Sequence, residues 1–167
     1  MAHSRLALRS VAFAEPSPGE AAGRVDRMLL AESEARTFAT AIVGRYEPDT
    51  GRFRWSRAGH CPPVLASGHV RLLEAEGGPP LAVGLGPASY PEEEVVLEVG
   101  DTLVLFTDGL VERHARPFQV GVDRLCIVLE GCRSTPLATL VAELPSRLSD
   151  VGPLEDDCCV LALRRLA

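Results

Sequence analysis

The chain has 167 residues, 46% of them apolar and 24% charged, with 17 basic against 23 acidic residues and a formal net charge of −6. These figures fit one globular domain over 1–167, large enough to bury a core without disulfide or metal staples, and they exclude a collagen, a coiled coil and a largely disordered chain. The acidic balance argues against a nucleic-acid backbone as ligand, which needs a basic face, and all 17 basic residues are Arg, so chemistry that needs a lysine is excluded.

Residues 4–14 fit a helix with Arg5 and Arg9 stacked at i,i+4 and apolar residues on both flanks. A helix covered on two sides expects neighbours that an N-terminal segment has few means to provide, which hints at a missing upstream part. Ala12-Phe13-Ala14 looks like a leader cleavage site, but Arg9 and Ser10 interrupt the apolar stretch before it, so no leader is expected. A second helix opens at Ser17 as N-cap, with Pro18 at N1 and Glu20 at N3 completing a capping box. Ala21, Ala22, Val25, Met28 and Leu29 then make one apolar stripe that reads as core.

From Phe38 the period changes to two. Phe38, Thr40, Ile42 and Tyr46 alternate with Ala39, Ala41 and Val43; Pro48 to Gly51 is a turn; Arg52 to Ala58 returns with Phe53 and Trp55 on one face. Short strands are expected at 63–66, 69–74, 94–99 and 102–107, with Gly- and Pro-rich turns between them. Residues 122–130 favour a helix, and Thr135-Pro136 opens a clearer one, with Leu137, Leu140, Val141 and Leu144 on one face and Pro145 to kink or end it. Cys158 to Leu163 is an apolar run that reads as a central strand, its two cysteines as core. Helices segregated from mostly antiparallel strands make an α+β layered fold.

No apolar run reaches the length of a membrane span, so no membrane contact is expected. The five cysteines (Cys61, Cys126, Cys132, Cys158, Cys159) form no C-x-x-C pair; an odd count suits reduced thiols in a cytoplasm.

Three places could carry chemistry. Thr107-Asp108-Gly109 follows the apolar strand Leu103 to Phe106, where a carboxylate at the strand end could meet a cation; Asp-Gly between apolar segments is equally a common hairpin turn. Asp156-Asp157 stands directly before the last strand, either as a solvated loop or as an acidic pair that a cation relieves. If strands 102–107 and 158–164 run antiparallel, Asp108 and Asp156 share one sheet edge, an arrangement suited to Mg²⁺ or Mn²⁺, which prefer oxygen ligands. His60, at the bend Gly59-His60-Cys61-Pro62-Pro63, lacks a second His at ligand spacing and is more often a structural residue than a ligand. Cys61 has no orienting partner that would make it a nucleophile.

In order along the chain, Phe38-Ala39-Thr40-Ala41, Tyr46 to Gly51, Ala58 to Pro63, Pro80 to Gly84, Gly100-Asp101 with Leu103 to Glu112, and Leu154 to Asp157 resemble the PPM-type, metal-dependent protein serine/threonine phosphatases, in their SpoIIE-like bacterial branch. The resemblance implies an α-β-β-α sandwich with a two-metal Mn²⁺ or Mg²⁺ site at one sheet edge. It implies metal ligation by Asp108 and Asp156, with Asp157 as a neighbour, Gly109 and His60 near the site, and no catalytic residue beyond the metal ligands. It further implies hydrolysis of phosphoserine or phosphothreonine by water activated at the metals, on a regulatory phosphoprotein such as an anti-sigma-factor antagonist. Cys159 stands where the family has Thr. The family's two earlier acidic motifs, which supply ligands bridging the metals, have no counterpart here, so the domain is expected to be N-terminally incomplete and its hydrolysis impaired. The alternative is a non-catalytic phosphatase-like binding or regulatory module. An incomplete sandwich leaves apolar surface open, so self-association is expected as well.

Overall fold

Ser17 starts the first long helix as the spacing implies, though only half of the capping box forms. In the computed structural model, which describes residues 9–32, 38–84, 86–112, 117–148 and 156–167, a helical segment α1 covers 9–14 and α2 covers Pro18–Glu32. The Ser17 hydroxyl oxygen accepts from Glu20 N at 3.1 Å, but the Ser17 N–H donates to Glu15 Oε1 at 3.4 Å, not to Glu20. A further carboxylate oxygen, Glu92 Oε1, accepts from Gly19 N at 3.0 Å and from the Ser17 hydroxyl, a favourable place for negative charge at a helix N-terminus. Ala21, Ala22 and Val25 are buried as the stripe predicts. Met28 is 41% exposed, because at 100° per residue the stripe centres on Pro18, Ala22, Val25 and Leu29 and leaves Met28 on its flank.

The described residues group into two compact units, Met1–His60 with Ala75–Val96 and Cys61–Glu74 with Leu97–Ala167. In the first, α2 packs on a sheet of order β1-β2-β5, where β1 is Ala41–Glu47, β2 Arg52–Ala58 and β5 Glu92–Val96. The β1–β2 hairpin pairs Ala41 with Ala58 and Tyr46 with Phe53. Phe53 and Trp55 stack with centroids 5.5 Å apart. Gly44, opposite Trp55, leaves room for them: a Cβ there would lie 2.6 Å from the Phe53 ring. Phe38 does not open β1. It is 62% exposed, and the neighbouring Ala39 instead forms a two-bond bridge with Leu81. The strand expected at 94–99 begins at Glu92 and ends at Val96. Its exposed Glu92 and Glu94 pair with Arg54 and Arg52 of β2 at 4.0 and 3.4 Å, so cross-strand charge places a strand where the apolar pattern does not.

The second unit holds a sheet of order β4-β3-β6-β7, all antiparallel, where β3 is Val64–Ala66, β4 Val70–Leu72, β6 Thr102–Phe106 and β7 Val160–Arg164. Helices α3 (Phe118–Glu130) and α4 (Leu137–Arg147) complete it. Val64, Val104, Phe106, Leu125, Leu129 and Leu144 are among the buried core. Pro145 lies within α4, in its last turn, and the helix ends two residues later. The last strand is not central: β7 is an edge of its sheet among the described residues, Leu161 is 58% exposed, Cys158 is half-buried and Cys159 exposed. An apolar run reports what covers the faces of a strand, not how many strands flank it. Two antiparallel sheets carrying helices make the α+β class expected. None of the described helices is long and apolar enough to cross a membrane.

Candidate functional site

Strand β6 is buried through Leu103, Val104 and Phe106 and then meets polar residues. The chain does not make a hairpin at Asp108-Gly109. It turns through a 3-10 segment, Asp108–Leu110, in which Val111 N and Glu112 N both donate to Asp108 O, at 2.8 and 2.7 Å. Gly109 and Leu110 are buried while the Asp108 carboxylate stays exposed, its Oδ1 accepting from Gly109 N at 2.9 Å.

The antiparallel pairing assumed from sequence is present: Phe106 pairs with Val160 and Thr102 with Arg164. It brings the end of β6 to the start of β7, and Thr107 fastens the two. Its N–H donates to Cys159 O at 3.0 Å, its hydroxyl donates to Asp157 O at 3.1 Å, and the same hydroxyl accepts from Cys159 N at 2.9 Å. The Asp156-Asp157 backbone lies directly on Gly109. A Cβ on Gly109 would be 2.6 Å from Asp157 O and 3.1 Å from Asp156 C and O. Asp108, Gly109, Asp156 and Asp157 are therefore brought together at one sheet edge, the three carboxylates exposed, with Asp156 Oδ1 accepting from Asp157 N at 2.7 Å. Among the described residues, no group of three or more His, Cys, Asp or Glu gathers that could hold a metal ion.

His60 is grouped with the first unit. Gly59, at φ +64 and against the Pro80 ring, makes the bend, His60 O accepts from Arg57 Nη1 at 2.9 Å, and His60 Nδ1 lies 3.3 Å from Thr40 Oγ1. These contacts give it a structural place.

Two features escape the motif reading. Thr107 is the residue that positions the acidic loop, and its signal was its place between strand end and carboxylate. Asp26 is a carboxylate only 5% exposed in the apolar face of α2; its Oδ1 accepts from Ala82 N at 2.8 Å, where Ala82 has φ +60. Its readable signal is that 22, 25, 26 and 29 share one helix face. Burial, then the Asp26 charge, push the Tyr90 phenol well above its usual range.

With this geometry in place the comparisons are specific. Residues 1–166 match the model of the family described as Stage II sporulation protein E (SpoIIE). The chain belongs to the SpoIIE family. It is 28% identical over 155 residues to the phosphoserine phosphatase RsbU of Bacillus subtilis (strain 168), covering 89% of this chain and 45% of that protein. The crystal structure of the RsbU and RsbW domains of Rv1364c from Mycobacterium tuberculosis matches all of this chain and 47% of its own, with TM-score 0.89 and 31% identity. The SiaA PP2C domain of Pseudomonas aeruginosa, at 22% identity, shares the fold with TM-score 0.78 over 96% of this chain and 66% of its own. The chain thus spans about half the length of RsbU and of the mycobacterial protein. This SpoIIE-family chain has the PP2C-like fold that its motifs imply.

Proposed function

We propose that this SpoIIE-family chain is a Mn²⁺- or Mg²⁺-dependent protein serine/threonine phosphatase that acts on phosphoserine or phosphothreonine of a regulatory phosphoprotein, such as an anti-sigma-factor antagonist. The observation that carries the reading is the contact of the Asp156-Asp157 backbone with Gly109, which sets the Asp108 and Asp156 segments side by side. The similarity to RsbU, named a phosphoserine phosphatase, supports the reaction class. A cytoplasmic setting belongs to the same reading, since five free cysteines suit a reducing compartment.

The donor chemistry fits a hard dication, which takes carboxylate oxygens. Asp108 and Asp156 would hold it, with Asp157 beside them. A bound dication supplies charge for the phosphoryl oxygens and lowers the pKa of water. The chain's own part is positional: Thr107 fixes the acidic loop, Gly109 allows the close approach, and the 3-10 turn presents the Asp108 carboxylate to solvent. Two carboxylates hold a dication weakly, and such ions are commonly shared with substrate phosphate. Metal affinity should therefore rise when a phosphoester is present. The same short donor set favours a second reading, a non-catalytic module that binds a phosphoprotein without turnover.

The test is phosphate release from a phosphoserine peptide by the purified chain with and without Mn²⁺, alongside calorimetric Mn²⁺ titration. Slow Mn²⁺-dependent release that disappears in Asp108→Asn and Asp156→Asn supports the phosphatase. Mn²⁺ binding without release favours the module. No Mn²⁺ response in either assay rejects a metal centre at this edge.

A further inference from the structure

Helix α3 meets the Asp108 turn at a point where no side chain fits. A Cβ on Gly121 would overlap Val111 O and stand 2.8 and 2.9 Å from Val111 C and Cβ. Gly121 lies in the first turn of α3 and its φ is outside the left-handed region, so no special backbone geometry asks for glycine there. Alanine is the better helix former at such a position. The close approach to Val111 is therefore what the missing side chain serves.

Neither side of this contact gives way easily. Helix α3 is anchored by Val122 and Leu125, 1% and 0% exposed, in the same core cluster as Leu110 and Val111. The turn has little room on the side of the acidic loop, where a Cβ on Gly109 would already stand 2.6 Å from Asp157 O. A shift of Val111 is passed on to Asp108. Val111 N and Glu112 N both donate to Asp108 O, at 2.8 and 2.7 Å, and Asp108 Oδ1 accepts from Gly109 N at 2.9 Å. The Asp108 carboxylate is thus aimed by a turn whose far end rests on α3.

We propose that Gly121 is a positioning residue for Asp108. By letting the first turn of α3 seat against Val111, it fixes the 3-10 turn that presents the carboxylate, and so sets how tightly the acidic edge holds a divalent cation. The effect on metal rests on the phosphatase reading; the hold on the Asp108 turn does not. Residues that orient a metal ligand from behind commonly govern metal affinity by about 10–100-fold.

Gly121→Ala tests this, read by Mn²⁺ titration of phosphate release from a phosphoserine peptide and by hydrogen exchange of the metal-free protein. Half-saturating Mn²⁺ should rise by about 10–100-fold, with the rate at saturating Mn²⁺ changing far less. In the metal-free protein, the Val111 and Glu112 amides should exchange faster than in wild type. Gly44→Ala is the control for lost stability alone: its Cβ would stand 2.6 Å from the Phe53 ring, in the first unit, so it overpacks without touching the turn. It should leave the Mn²⁺ response unchanged and speed the two amides less. Val111→Ala loosens the same contact from the other side, should act in the same direction as Gly121→Ala, and covers the case in which that variant misfolds. A wild-type Mn²⁺ response in folded Gly121→Ala or Val111→Ala overturns the proposal. So does unchanged exchange at Val111 and Glu112, or a shift that Gly44→Ala equals. If wild type itself gives no Mn²⁺ response, the phosphatase reading fails, and amide exchange alone decides whether Gly121 holds the Asp108 turn.

Discussion

Replacing Gly109 by alanine perturbs the close approach of the Asp156-Asp157 backbone to the Asp108 turn. Its φ lies outside the left-handed region, so alanine meets no backbone penalty and the effect isolates the close approach. The new Cβ would stand 2.6 Å from Asp157 O, and the carbonyl must retreat by about 0.8 Å to reach ordinary contact at 3.4 Å. It cannot retreat freely, because the same oxygen accepts from the Thr107 hydroxyl at 3.1 Å. Overpacking of this kind costs about 1–3 kcal/mol, offset by less than about 1 kcal/mol from the stiffer unfolded chain. For a chain of this size the net loss corresponds to a fall of about 2–8 °C in Tm. Gly68→Ala is the control, since nothing lies within 4 Å of its Cβ and its φ is also outside the left-handed region; it should leave Tm unchanged or slightly raised. Thermal unfolding of both variants, with Mn²⁺ titration of each, reads the outcome. Gly109→Ala should lose stability and metal response together. If it matches Gly68→Ala in Tm and wild type in Mn²⁺ response, the acidic loop does not rest on Gly109 and the candidate centre loses its geometric basis.

Thr107→Val removes a hydroxyl that both donates and accepts, leaving Cys159 N without its partner; a loss of about 1–2 kcal/mol is expected by denaturant unfolding, with Thr107→Ser close to wild type. Asp26→Ala orphans Ala82 N in a buried turn and should cost about 1–3 kcal/mol in the same assay. Because burial and Asp26 raise the Tyr90 phenol, its stabilising contribution is complete below about pH 10, the unfolded value, and is lost as pH rises above it; Asp26→Asn should lower the pH at which Tyr90 absorbance changes. The Glu130 carboxyl is pulled down by the Val70 N–H bond first and then by Arg133. Its contribution is present above the unfolded value of about 4.3 and lost as pH falls through the folded one, so the protection of the Val70 amide relative to its intrinsic exchange rate should fall in acid, and Glu130→Gln should flatten that dependence.

Much of the site was legible because its signals are local. A run of Leu-Val-Leu-Phe ending in Thr-Asp-Gly marks a strand end carrying a carboxylate, and an apolar strand right after Asp156-Asp157 marks another. Antiparallel pairing is the only additional assumption, and the register Phe106 to Val160 meets it. The hairpin of β1 and β2 was legible for the same reason, since its turn and its alternation lie within 18 residues of sequence, from Ala41 to Ala58. Where the reading slipped, the deciding partner was distant. Met28 lies at the edge of a stripe whose centre is fixed by the sheet beneath α2. Strand β5 is held by Arg52 and Arg54, some 40 residues earlier in the chain, so it begins at Glu92 and not at 94 as the apolar pattern places it. Thr107 stands in the motif with no role that the sequence assigns, yet it makes three hydrogen bonds to residues 50 or more positions away.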